Sequence, residues 1–435
     1  MSMQEPPASP PPAVSTALPM SLLVAFAIEA AFSLSRLAFP KAWVITEKYW
    51  LLSTGINACS ALLFTMGCAD LVRRLPQRQA MGAQVAMVAN AVQLALVLAS
   101  GVLSFLVIGE KSELIWKLQG YMYLAVYLTS AVGVIIAAGG FVRVAAPAIA
   151  LVVLSIVLAP PPFIAGKLYD ALGSNVRLVF SVVNITQLGV QLFLLREAAR
   201  ASTRDLPAEP TAPFALLGTA LRTRVIAMFV LVAFSLLATG GRSLGAMKFA
   251  MVAAPAINMA AFLVFAVAAL RAGRGLDARV QILFSLAGGA AAWCAGVLSM
   301  QTPAIYQMFG RSDSYGSERN AEMAQALSVA MPLIATFAVV VALVAVGSHI
   351  RQLGHHALGE SIAPRTTTFV ILMATSVVVQ LYLAPKVQSM GELVMIGLLA
   401  AAAGVAALLV AAGIFKRASD AASLTSLPTA TVLPS

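Results

Sequence analysis

Twelve apolar runs of about 18–26 residues recur from one end of the chain to the other, and nearly every charge falls between them. They lie at roughly 20–39, 50–72, 83–108, 118–140, 143–163, 175–196, 222–239, 246–270, 279–300, 323–347, 366–385 and 391–415. At ~1.5 Å rise per residue, a run of this length crosses the ~30 Å hydrocarbon core of a bilayer as a helix. Each backbone N–H and C=O is then satisfied inside its own segment, as lipid requires. The composition agrees: 60% of the 435 residues are hydrophobic and 10% are charged, against roughly 25% charged in soluble domains. The sequence therefore predicts an all-α polytopic membrane protein whose first partner is the lipid bilayer.

The net charge of +11 does not point to nucleic acid. Its basic residues are spread over helix ends rather than gathered in one aromatic-interleaved patch, which fits membrane anchoring and topology. One set of connections carries Arg73, Arg74, Arg78, Arg143, Arg196, Arg200, Arg204, Arg222, Arg224, Arg271, Arg274, Arg279, Arg351, Arg365, Lys416 and Arg417. The other set is lysine-richer and mixed with acids, as in "GEKSELIWK". An excess of Lys and Arg marks the cytoplasmic side, so both termini are expected there. Residues 1–18 are Pro-rich and hold no Lys or Arg, so they read as a disordered tail rather than a secretory signal, which needs a basic start. The arginine- and alanine-rich composition suggests a GC-rich bacterial genome, hence a bacterial inner membrane.

The two halves resemble each other in order. "AFSL" stands at 31–34 and 233–236, Ile56-Asn57 and Phe64 match Ile257-Asn258 and Phe265, and "GVLS" recurs at 101–104 and 296–299. Arg143 matches Arg351, "LAP" recurs at 158–160 and 383–385, and "RAS" at 200–202 and 417–419. Each match is weak alone. Their separations widen where the second half has the longer connection (302–322 against 109–117, 348–365 against 140–143) and narrow where it is shorter (386–390 against 164–174), which chance would not produce. This predicts a six-helix unit at 19–196, a cytoplasmic linker at 197–221, a second unit in the same orientation at 222–417 and a cytoplasmic tail at 418–435. Parallel duplication implies a pseudo-two-fold axis along the membrane normal, with a cavity between the halves.

Two parallel six-helix repeats with cytoplasmic termini and a cytoplasmic central linker resemble the major facilitator superfamily. The segment Gly67-Cys68-Ala69-Asp70-Leu71-Val72-Arg73-Arg74 occupies the place of that family's glycine–acid–basic motif between helices two and three, with glycine and acid one residue too close and the second glycine missing. The resemblance implies a 12-helix secondary transporter. Multidrug and lipid exporters of the MATE type share the helix count and duplication and stay open as an alternative.

Glu29, in "LLVAFAIEAAFSLSRLAFP" (22–40), is the most informative residue, because an acid at mid-membrane depth costs about 2.5–3.5 kcal/mol on insertion scales. Arg36, seven residues on, shares its helix face with Ser33 and either leans toward Glu29 or snorkels to the outer boundary. The pair are candidates for proton coupling, with Glu29 expected to face a cavity between the halves. Three polar stripes are candidates for a substrate cavity or for interhelical hydrogen bonding: Asn184, Gln187 and Gln191; Asn90 and Gln93; and Gln119, Tyr123 and Tyr127. Asn57 and Asn258 fall at equivalent places of the repeat, which favours packing. His349, His355 and His356 read as a solvated loop, and no metal or cofactor is expected. Cys59, Cys68 and Cys294 lie inside apolar runs without paired spacing, which speaks against disulfides. No phosphate-binding loop, GxSxG or HExxH occurs, so the chain is not expected to be an enzyme. What remains is a proton-coupled secondary transporter, more an exporter of amphipathic or apolar small molecules than an importer of sugars or anions. A membrane subunit or sensor that keeps the fold without transporting is the alternative from another class.

Overall fold

The computed structural model describes residues 16–38, 48–106, 112–204, 211–239, 244–310, 314–379 and 390–425. Among these the protein is entirely helical: α1 (Met20–Ala38), α2 (Lys48–Arg74), α3 (Gln77–Leu106), α4 (Ser112–Ala137), α5 (Ala145–Leu158), α6 (Pro162–Leu172), α7 (Val176–Ala199), α8 (Thr211–Thr239), α9 (Leu244–Ala272), α10 (Ala278–Gly310), α11 (Ser314–Gln352), α12 (His356–Val378) and α13 (Met390–Thr425). Eleven of the helices are long and apolar enough to cross a membrane.

Proline and glycine set several ends. The first turn of α1 is built on Pro19, whose carbonyl accepts from the Leu22 N–H at 3.0 Å. After α4, Gly139 and Gly140 take φ of 105° and 86°. That left-handed pair lets the Gly140 N–H reach back to the Ile135 carbonyl at 2.9 Å, a glycine helix stop. Pro160 and Pro161 cannot continue α5, and Pro162 starts α6 where its missing N–H is harmless.

Several boundaries differ from those read in the sequence. The fifth span, expected at 143–163, is α5, whose 14 residues reach only about 21 Å. The helix that follows it, α6, is bent away from it by 78°. The linker expected at 197–221 shrinks to the stretch between Ala199 and Thr211, because α8 begins eleven residues earlier than the apolar run does. Arg222 and Arg224 therefore belong to a helix interior. Much of 302–322 and 348–365, taken as loops, is helix, and α13 continues through the expected tail to Thr425. The expected N-terminal tail lies outside the described residues up to residue 15.

Neighbours in the chain are neighbours in space. In the first half α1, α2, α3, α4, α5 and α7 form a closed ring, α7 returning to α1. In the second, α8 to α13 close in the same way, α13 returning to α8. Among the described residues each ring also has a substantial cross-contact of the same kind, fourth span with sixth: α4 with α7 and α11 with α13.

The rings meet through α10, which packs on α2 most extensively and also on α3 and α1. A two-fold axis would require α3 to pack likewise on α9 and α8, and no comparable packing is present among the described residues. The expected symmetric seam is thus replaced by a one-sided one. Small residues cause it: a Cβ built on Gly296 would come within 2.6 Å of the Ala58 Cβ, and one on Gly289 within 2.9 Å of the Cys59 sulfur. The helices approach that closely only because the side chains are missing.

Candidate functional site

The first ring is hollow. One cavity of about 300 Å³ is lined by Glu29, Phe32 and Arg36 of α1, Asn57 of α2, Tyr127 of α4, Leu158 of α5, and Val176, Phe180 and Asn184 of α7. It sits where α1 and α5 end and α7 begins. A second, of about 50 Å³, takes Glu29 again with Ser60 and Cys68 of α2, Asn90 and Gln93 of α3, Tyr127, Ser130 and Val134 of α4, and Asn184, Gln187 and Gln191 of α7. It extends toward the far ends of α2 and α4, the arginine-rich face. Glu29, Tyr127 and Asn184 border both cavities.

Ser60 and Asn184 present their polar atoms to the Glu29 carboxyl, and the Arg36 guanidinium is within electrostatic reach of it. Arg36 also lies 5.8 Å from the Phe32 ring centroid and lines the larger cavity, so it faces inward rather than only snorkelling outward. The amides do two jobs at once. Asn184 Nδ2 donates to Ser33 Oγ at 2.8 Å, tying α7 to α1. Gln187 Nε2 donates to Ser155 Oγ at 3.0 Å, tying α7 to α5, and the Ser155 hydroxyl in turn donates to the Leu151 carbonyl at 2.7 Å. Asn90 Nδ2 donates to Ser130 Oγ at 3.1 Å and to the Ala86 carbonyl at 2.7 Å, tying α3 to α4.

The structure thus gathers Glu29, Asn90, Gln93, Tyr127, Asn184, Gln187 and Gln191 around one pair of cavities, with Arg36 at the wider end. Gln119 and Tyr123 hydrogen-bond to each other on α4, two turns and one turn from Tyr127 respectively, and neither lines these cavities. The location is a correction: Glu29 faces the inside of the first ring, not a cavity between the halves. The seam there is closed by α10 against α2. No protein-family model, curated protein or solved structure matches the chain.

Two further corrections concern residues outside these cavities' polar stripes. Asn57 lines the larger cavity of the first ring, and Asn258, its counterpart, lines a cavity of about 190 Å³ inside the second. Neither makes a hydrogen bond among the described residues, so cavity lining replaces the packing role expected for them. His349 is buried in α11 with its ring 6.1 Å from that of Phe214, rather than solvated in a loop. The cysteines are free and buried.

Sequence reasoning missed two groups. Arg224 lines the second ring's cavity, and the usable signal was Thr211-Ala212-Pro213, a proline in a helix's first turn. Asp70 pairs with Arg274 across the seam, Oδ1 to Nε at 2.6 Å, with side chains only 11% and 8% exposed. Arg73, Arg74 and Arg271 surround this pair. The acid of the degenerate glycine–acid–basic segment therefore joins the two rings at the arginine-rich face.

Proposed function

We propose that the chain is a proton-coupled secondary transporter, exporting amphipathic or apolar small molecules across a bacterial inner membrane. In this reading it has twelve crossings, the fifth made of α5 and α6, arranged as two parallel six-span units with both termini in the cytoplasm, as in the major facilitator superfamily. The identical neighbour order of the rings, including their shared cross-contact, supports the duplication. The arginine-rich face supports the orientation.

One observation carries the function: Glu29 borders two cavities, one at the end of α1 and the other extending toward the arginine-rich face. A carboxyl bordering both spaces takes a proton from one and releases it to the other when access switches between them. Intramembrane ionisable residues facing cavities are typical of proton relays. Ser60, Tyr127 and Asn184 beside it are polar groups able to pair with either protonation state, and the amide-lined space suits a solute with few charges. Proteoliposomes loaded with a pH-sensitive dye test this against a panel of amphipathic solutes. The wild-type protein should show solute-dependent proton movement, and Glu29→Gln, which keeps the shape and loses the titration, should abolish it. Unchanged solute-driven proton movement in Glu29→Gln would sink the coupling role.

A second reading has one observation in its favour. The cavities lie within the rings while α10 closes the seam between them. A non-transporting subunit or sensor would bind solutes there without alternating access, and its proteoliposomes would bind members of the panel with no proton movement at all.

A further inference from the structure

Arg224 lies roughly 20 Å along α8 from Thr211 at ~1.5 Å per residue, within the stretch able to cross a membrane. Its Nε is enclosed and has no hydrogen-bond partner, and its guanidinium carbon is 4.2 Å from the centroid of the Phe262 ring. None of the residues around its cavity is acidic. The only ionisable group within electrostatic reach among the described residues is the Cys294 thiol. A cation at this depth normally pairs with an acid or lines a solute pathway, because leaving it uncompensated in low dielectric is expensive.

The cavity beside it, about 190 Å³, has the complementary composition. Met228, Met331 and Met373 give it a soft, adaptable apolar wall. Two other polar side chains reach it. The Ser376 hydroxyl is already committed to the Ala400 carbonyl at 2.8 Å. The Asn258 amide makes no hydrogen bond among the described residues, so it and Arg224 are the donors left over.

We propose that the second ring binds a small organic anion, a carboxylate carried on a compact apolar body, with Arg224 as counter-ion and Asn258 as second donor. Phe262 holds the guanidinium plane by stacking, which leaves its N–H edge for a two-pronged carboxylate contact. A bare inorganic anion would leave the methionine wall without a partner. A phospholipid headgroup stays at the interface, far from a guanidinium at mid-span. The site is separate from Glu29 and its cavities, so it stands whether or not the first ring couples protons.

The test uses the full chain in nanodiscs of zwitterionic lipid at pH 7, with thermal unfolding as readout. Benzoate, phenylacetate and hexanoate are titrated, with benzyl alcohol and benzylamine as controls of matched size. At least one carboxylate should raise the unfolding temperature saturably, and neither control should. Arg224→Met should weaken the saturable response at least tenfold, and Asn258→Leu, which leaves the arginine in place, several-fold. Glu29→Gln should keep the full response, separating this site from the first ring. If Arg224→Met does not fold, Asn258→Leu and the alcohol control decide. The proposal is overturned if no carboxylate acts saturably, if benzyl alcohol matches benzoate, or if the response survives unchanged in the foldable variants.

Discussion

A carboxyl group in the middle of an apolar helix costs stability, so the stability of its neutral variant reveals whether the fold needs it. Among the described residues Glu29 has no cationic neighbour other than Arg36, two turns away, and Ser60 and Asn184 beside it are neutral. Glu29→Gln keeps the hydrogen-bonding shape and removes the charge, so its unfolding temperature should equal or exceed that of the wild type. Asn184→Leu removes the donor to Ser33 and should lose about 1 kcal/mol, the usual net worth of one such bond. Thermal unfolding of the two variants side by side separates the roles. A Glu29→Gln protein as destabilised as Asn184→Leu would make the acid a structural residue. At this scale the sequence was most readable where a polar residue interrupts an apolar run. Such residues are costly in lipid, so Glu29, Asn90, Gln93, Asn184, Gln187 and Gln191 stood out and converge in space. Arg224 did not stand out, because the polar, proline-containing stretch before it resembles a linker as much as a first helical turn. The serine partners were mostly invisible for the opposite reason. Ser130 and Ser155 are cheap enough in a helix to need no explanation.

Helices locate these residues, and in the first ring α3 crosses α4 backbone to backbone. This crossing depends on Gly82 and Gly133. A Cβ on Gly133 would stand 2.5 Å from the backbone nitrogen of Ala86, and one on Gly82 would stand 2.4 Å from that of Ala137. Backbone cannot move aside as a side-chain tip can. Gly133→Ala should therefore push the two helices apart and cost about 1–3 kcal/mol, as overpacking generally does. It should also lengthen the Asn90–Ser130 contact that the crossing brings within reach. Gly189 in α7 meets nothing within 4 Å, so Gly189→Ala should be neutral or stabilising by up to about 1 kcal/mol through helix propensity alone. Unfolding temperatures of the purified variants check both signs. Equal behaviour of the two would mean that the crossing is looser than its geometry implies. Helix identity was legible from the length of the apolar runs, whereas helix ends were not. Hydropathy marks where lipid begins and ends, but α8, α10 and α11 continue past that limit as helices. The break between α5 and α6 was hidden because the apolar run continues straight through Pro160-Pro161-Pro162.

At the scale of the whole molecule, the order of neighbours in the two rings follows from the repeat, but the way the rings dock does not. A duplication duplicates surfaces and leaves open which copy of each surface is used. Gly55, Ala58 and Cys59 on α2 accept α10 through Gly289 and Gly296, whereas α3 offers no matching groove to α9. Each ring also has its own core. Leu22, Phe26, Leu71, Ile135 and Leu194 form that of the first, while Phe214, Phe284, Phe369 and Phe415 anchor the second, which gathers in Val24, Cys59 and Leu63 at the seam. Two closed rings joined by a connection of about ten residues should survive as separate chains. Co-expressed polypeptides ending at residue 204 and beginning at residue 211 should insert independently and co-purify. The Asp70–Arg274 pair should govern that association. Removing one partner of a buried pair leaves an uncompensated charge and costs about 3–5 kcal/mol. Asp70→Ala leaves Arg274 among Arg73, Arg74 and Arg271 with no acid between them, so the halves should separate more readily, and the more so at low salt. Asp70→Asn keeps the shape and isolates the charge, and Gly296→Leu attacks the seam sterically with the ion pair intact. Pull-down of one tagged half measures all three. Recovery of the partner undiminished by both Asp70→Ala and Gly296→Leu would mean that the rings are held by surfaces other than the α2–α10 seam.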